Sequence, residues 1–302
     1  MGSQTSYYTD YSVREDLLDV ITNLTPTETQ LMTGLQTTTA KSVRHEWLKD
    51  TLPSAKFNSY VEGVDASYAV TDPTRLINYC QIIRQGFDVS DTQSAVDHAG
   101  ISDRKAYEAS KAMKAWKNDA EYSILLNSLN CGSASVARTL NGIYQWVALT
   151  NATNQSGISM TEATFIAHLA RCWDQGTEVD EVYVPATLKR RIDGFTANAT
   201  KTVPIADRRL VNAVDVYESS FAPIVKIFLH RYVNSDAYVA TIANGNNIIG
   251  IDASMYAVSY LRKPFMRDLS KTGDSEKGEI VGEITLEDRS NGLGGFIGQA
   301  YF

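Results

Sequence analysis

The sequence predicts an α+β chain, and three observations carry that prediction. Two strand-like arms flank a polar middle between positions 44 and 89. One long amphipathic helix follows from Ser102. The stretch 146–255 then alternates helices with apolar strands.

Composition fits such a chain. At 302 residues the length suits two domains or one large one. A hydrophobic share of 43% against 21% charged supplies enough apolar matter for a core. The net charge of -7 argues against a basic nucleic-acid binder. No apolar run approaches the roughly 18 residues of a membrane span. The opening "MGSQTSYYTDYSVRED" lacks the apolar core of a secretory signal. "MGSQTS" fits a myristoylation pattern, but so short a pattern recurs by chance and is not adopted. Cys80, Cys131 and Cys172 are odd in number and lack C-x-x-C spacing, which points to free thiols in a reducing compartment.

Residues 1–11 are polar and carry Tyr7, Tyr8 and Tyr11. A helix is expected from Ser12, where Ser12 and Glu15 form a capping box, until Pro26 ends it. The motif "RHEWLKD" at 44–50 begins like a zinc-protease helix, H-E-x-x-H. Its second ligand position is Lys49, whose ammonium cannot bind metal, and the apolar residues alternate as on a strand. The arms "SVRHEWLKDTL" and "TRLINYCQIIRQGFDVS" therefore read as a long two-stranded ribbon. An arm of about 12 residues spans about 40 Å at ~3.3 Å per residue, against a radius of gyration near 19 Å for a compact body of this length. Such a ribbon is marginal in isolation, so it is expected to lie on another surface, a neighbouring copy.

The long helix is expected to run about 27 residues, with Ser102 as N-cap, Asp103 at the positive end of the dipole, and Gly132 as its stop. "SMTEATFIAHLARCWDQG" reads as a second helix, boxed by Ser159 and Glu162 and stopped by Gly176. "EVDEVYVP" reads as a strand, Pro185 opens a short helix, and "VNAVDVYES", "PIVKIFLHRYV", "AYVATIA" and "NIIGID" read as strands. At the C-terminus "GEIVGEITLED" and "FIGQAYF" read as an antiparallel pair joined by "SNGLGG". Glu279, Glu283 and Glu287 share one face of the first strand.

Motifs for chemistry are missing. The chain has no G-x-S-x-G elbow, Walker loop or G-x-G-x-x-G. His168 and Cys172 lie one helical turn apart but supply two ligands where a closed zinc site needs four. Asp174, Glu178, Asp180 and Glu181 read as a solvated acidic loop, and Lys201, Arg208 and Arg209 as a wet basic face. His98 and His230 have no recognisable partner. The sequence thus assigns no catalytic, cofactor-binding or metal-binding residue.

The order of parts, together with the blocks "REDLLDVITNLTPTETQL", "HEWLKDTL", "VSDTQSAVDHAG", "ARTLNGIYQWV" and "SKTGDSEKGEIVGEITLE", resembles the major capsid proteins of tailed bacteriophages, with the Hong Kong 97-type fold. The resemblance implies an N-terminal arm (1–43), an extended β-hairpin loop (44–95), and a peripheral domain with a long spine helix (96–145). An α/β axial domain (146–255) and closing strands of the peripheral domain (256–302) complete it. It also implies hexamers and pentamers of one chain in an icosahedral shell around double-stranded DNA that is not bound specifically. The setting would be a virion assembled in a bacterial cytoplasm, without membrane or cofactor. A separate scaffolding protein, a portal and a decoration protein are the implied partners. The assembly residues would be Tyr7, Tyr8 and Tyr11 on the arm, with His45, Trp47 and Lys49 at the base of the loop. Gly63, Gly86 and Gly132 are candidate hinges because glycine tolerates backbone change. Lys49 and Lys56 lie near the loop, yet nothing assigns crosslinking to them. Three alternatives stand beside this reading: an encapsulin-like nanocompartment shell, a small metal-dependent α/β enzyme using His168 or the acidic loop, and a tail or decoration protein.

Overall fold

The computed structural model describes residues 29–65, 70–96, 103–195, 216–222, 224–234, 246–271 and 273–302. In chain order the elements are α1 (Gln30–Gly34), β1 (Gln36–Thr39), β2 (Arg44–Lys49), β3 (Thr74–Tyr79), β4 (Gln81–Ser90), α2 (Asp91–Ala95) and α3 (Arg104–Leu126). They continue as α4 (Ile143–Ala148), β5 (Ala152–Asn154), α5 (Glu162–Asp174), β6 (Glu181–Val184), α6 (Ala186–Asp193), β7 (Val216–Tyr217) and β8 (Val225–Leu229). The last are β9 (Asn246–Ile251), β10 (Tyr256–Asp268), β11 (Ser275–Asp288) and β12 (Gly295–Tyr301). The expected helix from Ser12 and the strand "AYVATIA" lie outside the described residues.

The strands form three sheets, ordered β1-β10-β11-β4, β5-β12-β9-β6-β8-β7, and the pair β2-β3. The chain divides into two compact units. The first comprises Met1–Thr27, Arg84–Trp116 and Met266–Ile280, of which 1–27 lie outside the described residues. Here Ser90 Oγ accepts from the Gln93 amide and caps α2. Lys105 bridges Asp268 at 3.1 Å and Glu276 at 3.3 Å, and Arg267 pairs with Glu279. Gly278 leaves room for a ring: a Cβ there would stand 2.4 Å from Phe87 Cζ.

The second unit comprises Glu28–Ile83, Lys117–Phe265 and Val281–Phe302. Its core is the six-stranded sheet with α5 and α6. β6 (EVYV) is buried along its whole length, and Val182 and Val184 pack with Phe165, Leu169, Leu188 and Ile192. β6 runs parallel to β8 and antiparallel to β9. On the next pair Phe296 stands opposite Gly250, and the missing side chain is what admits the ring: a Cβ at Gly250 would lie 2.2 Å from Phe296 Cε1.

Several expectations are corrected. β11 and β12 do not pair: β11 joins the four-stranded sheet, while β12 lies between β5 and β9. The turn between them changes sheet rather than returning the chain, and Asp288 fixes it by accepting from its amides. Asp288 Oδ1 accepts from Ser290 N at 2.8 Å and Oδ2 from Gly292 N at 2.6 Å. The long helix has 23 residues, about 35 Å at 1.5 Å per residue. Asp103 caps it through the Ala106 amide at 3.0 Å; Ser102 lies outside the described residues. The helix ends at Leu126, before Gly132, where Gly142 packs against its last turn. The box on α5 is Thr161 with Thr164, two residues after the expected one, and Ser159 instead accepts from Arg191. Gly176 does follow that helix with a positive φ of 85°.

Candidate assembly interface

β2 and β3 pair in register from Arg44↔Tyr79 to Lys49↔Thr74. The ribbon is therefore six residues long, about 20 Å, half the expected length. Two causes set its ends. Inward, the second arm breaks at Cys80, and β4 leaves for the four-stranded sheet. Outward, the next partner of Asp50 would be Pro73, which has no amide to donate, and Pro53 follows on the other strand.

Alternation gives the ribbon two faces. Arg44, Glu46 and Arg75 form an outer ion-pair row, with Glu46 at 2.7 Å from Arg44 and 3.2 Å from Arg75. His45, Trp47 and Lys49 point inward, and each finds a partner at the end of β11 or in the turn beyond it. His45 Nε2 donates to Glu287 Oε1 at 2.6 Å, Trp47 Nε1 donates to the Asp288 carbonyl at 2.8 Å, and Lys49 Nζ donates to the Ser290 carbonyl at 2.6 Å. Trp47 also leans on Trp146, ring centroids 6.1 Å apart. Opposite His45, the fully buried Asn78 donates to the Leu286 carbonyl at 2.7 Å and accepts from Asn141 N at 2.8 Å. Opposite Trp47, Leu76 is buried.

Glu287 is the centre of this root. It also accepts from Thr38 Oγ1 at 2.8 Å and Ser259 Oγ at 2.6 Å. Burial alone would raise its pKa, but the bonds from His45, Ser259 and Thr38 outweigh it and hold the carboxyl at about 2. An ionised carboxylate only accepts, so the proton of the His45 contact sits on Nε2.

Beyond the root the chain turns outward. Every described residue from 50 to 65 is exposed, including Leu52 at 95%, Val61 at 78% and Phe57 without any cover. Gly63 makes a turn there with φ +84° and open space where a Cβ would stand. Gly86 lies inside β4 rather than in a loop and has no positive φ. Gly132, φ +75°, lies in the loop between α3 and α4. Tyr7, Tyr8 and Tyr11, with His98, Lys201, Arg208 and Arg209, lie outside the described residues.

The residues weighed for metal chemistry are engaged elsewhere. His168 stacks on Phe296 at 4.8 Å, and its Nε2 lies 2.7 Å from Tyr301 Oη. Cys172 receives a bond from Asn151 Nδ2, and burial pushes its thiol up to about 12. The acidic loop is partly structural rather than solvated. Glu181 is buried and accepts from Tyr183 Oη at 2.7 Å, while Asp180 accepts from Ala253 N at 2.8 Å. His230 does have a partner, since its Nε2 lies 2.9 Å from Glu121 Oε1. Among the described residues no group of three or more His, Cys, Asp or Glu side chains could hold a metal. Sequence reading missed Asn78, Glu121 and Asp288 altogether. Glu287 it placed on a strand face without a role.

The model of the SU10 major capsid protein family matches residues 3–298. The chain belongs to the SU10 major capsid protein family. Solved structures share its fold at low identity. A chain from Mycobacterium phage Bobi aligns with TM-score 0.64 at 10% identity over 99% of both chains. The capsid of a native GTA particle gives 0.65 at 10% over 98% of both. The holo-SrpI encapsulin complex of Synechococcus elongatus PCC 7942 gives 0.60 at 10%, over 99% of this chain and 96% of that one. A comparison with curated proteins finds no match.

The capsid protein thus has the α+β, Hong Kong 97-type fold expected from its sequence blocks. It is a phage major capsid protein, a structural subunit of a shell. The encapsulin shares this fold, but the family matched along the chain is that of a phage capsid.

Proposed function

We propose that the ribbon is the part of the capsid protein that reaches a neighbouring copy, so that hexamers and pentamers close into an icosahedral shell around double-stranded DNA. The observation that carries this reading is the exposed segment 50–65, which leaves Leu52, Phe57, Val61 and Val64 uncovered outside a firmly anchored root. Large contiguous apolar exposure on one subunit marks an interaction site, and a second copy is the partner always present at high concentration. Each contact can be weak, because a subunit held by several neighbours gains stability by mass action and avidity.

The same reading assigns 1–43 to an arm, 44–95 to the loop, 96–145 and 256–302 to a peripheral domain, and 146–255 to an axial domain. Tyr7, Tyr8, Tyr11, Gly63 and Gly86 stay with it as assembly residues, while His45, Trp47 and Lys49 set the base of the loop. The net charge of -7 suits a wall along which DNA lies without specific binding. The role is structural, not enzymatic, and no cofactor is involved. Assembly takes place in a bacterial cytoplasm, with a scaffolding protein and a portal. A decoration protein is a further partner, in keeping with the fold likeness (TM-score 0.57) to a phage G structure that contains major capsid and decoration proteins. Among the described residues no helix is long and apolar enough to cross a membrane.

Negative-stain microscopy of the protein expressed with its scaffold tests the reading. Closed polyhedral particles support it; tubes or persistent monomers overturn it. Particles loaded with an enzyme instead of DNA would favour the nanocompartment reading, which the fold likeness to the encapsulin keeps in view.

A further inference from the structure

The ribbon meets the rest of its chain over a short, sharply bounded length. On β2 each inward residue is tied: His45 to Glu287, Trp47 to the Asp288 carbonyl, Lys49 to the Ser290 carbonyl. On β3 Leu76 is buried, and Asn78 bonds both Leu286 and Asn141. The sockets are themselves fixed. Asp288 draws in the Ser290 and Gly292 amides, Ser290 Oγ accepts from Gly294 N at 2.8 Å, and Gly292 packs so tightly that a Cβ would lie 2.3 Å from the Trp146 carbonyl oxygen. One step past Lys49↔Thr74 the ladder meets Pro73, with Pro53 three positions along the other strand, and from Asp50 outward the described chain is exposed.

We propose that the root of the ribbon is a rigid bracket and that the ribbon bends only outside it, at 50–53 and 70–73, when a copy moves between five-fold and six-fold rings. The inference rests on the shell-building reading and adds where the bend lies. A junction at 43 and 80 would break the His45, Trp47, Lys49 and Asn78 bonds together. A bend at the prolines breaks none of them, since the ladder has already ended there. Glu287, Asp288 and Asn78 are accordingly positioning residues: they aim the exposed tip without touching the neighbour.

Hydrogen exchange on the unassembled full-length chain tests the bracket by itself. Amides of 44–49 and 74–79 should exchange far more slowly than those of 50–65. Trp47→Phe and Glu287→Gln should each speed the root by about tenfold, the factor one lost hydrogen bond produces, without changing β6 or β9. A root that exchanges as fast as the tip, or that neither substitution affects, overturns the proposal. In assembled shells, an image reconstruction should superpose 44–49 and 74–79 on β11 in both kinds of ring while 50–65 diverges. A root that tilts with its tip, with Trp47 parted from Asp288 in one ring, also overturns it. A protected root in a protein that never forms rings would defeat the shell-building reading and leave the bracket standing.

Discussion

His45 Nε2 and Glu287 Oε1 stand 2.6 Å apart across 242 positions of sequence. The contact joins the first strand of the ribbon to the C-terminal end of β11, and it makes the acid behaviour of the fold predictable. Glu287 titrates at about 2 in the folded chain, below its ordinary 4.5, because three hydrogen bonds overcome the effect of burial. A depressed carboxylate adds stability that is fully present above pH 4.5 and is lost as pH falls toward 2. At about 1.4 kcal/mol per pH unit the displacement corresponds to roughly 3 kcal/mol; solvent screening lowers it to about 1–2. Urea midpoints measured from pH 5 to pH 2 should therefore fall more steeply for the natural chain than for Glu287→Gln. Parallel slopes would show that the pair contributes nothing.

A second acid response belongs to His168. Burial, and secondarily Arg171, lowers its pKa from 6.5 to about 4. Between these values the unfolded chain binds the proton and the folded chain does not, so stability falls as pH falls from 6.5 to 4 and levels off below. The imidazole resonances should titrate near pH 4; a midpoint near 6.5 would place the ring in water rather than against Phe296. Metal analysis of the same sample tests the enzyme alternative. Stoichiometric metal that His168→Ala removes would revive it.

The parts of this fold that local patterning controls were legible in the sequence. Ribbon strands, the long helix, β6 and the Pro185-led helix each follow from periodicity or a cap, and the order of blocks gave the fold family. What escaped reading depends on long-range partners. "FIGQAYF" looks like the return strand of a hairpin, yet it pairs with β9 and β5, partners remote in sequence. The arm "TRLINYCQIIRQGFDVS" reads as one strand, yet it breaks at Cys80, and its second half, β4, joins the four-stranded sheet. His230 was unreadable because its partner lies 109 positions away. The prolines at 53 and 73 were the one visible signal for the length of the ribbon.

Glu121 carries the third prediction. Fully buried on α3, it accepts from Leu31 N at 2.8 Å, Met32 N at 2.7 Å and His230 Nε2 at 2.9 Å. Glu121→Ala leaves two amides and an imidazole without their acceptor and should cost about 3–5 kcal/mol, a fall of roughly 6–15 °C in Tm for a chain of this size. Glu121→Gln, which keeps one carbonyl acceptor, should lose less. Equal melting of all three proteins would mean that water replaces the carboxylate and that α1 is not held by it.

The exposed tip should separate folding from assembly. Phe57 has no cover within its own subunit, and Val61 and Val64 stand out beside it. Replacing Phe57 by Asp removes no contact of the lone chain, so its Tm should stay within the change of about 0.5 kcal/mol usual for surface positions. In a shell the same carboxylate would have to be buried against a neighbour without a partner, which costs several kcal/mol at every repeat. The expected result is a folded subunit that sediments as a small species and yields few or no particles. Val61→Asp should do the same, whereas Arg44→Ala, on the outer ion-pair row of the root, should assemble. If Phe57→Asp builds shells as well as the natural chain does, the tip is not where copies meet. The apolar exposure of 50–65 would then need another explanation.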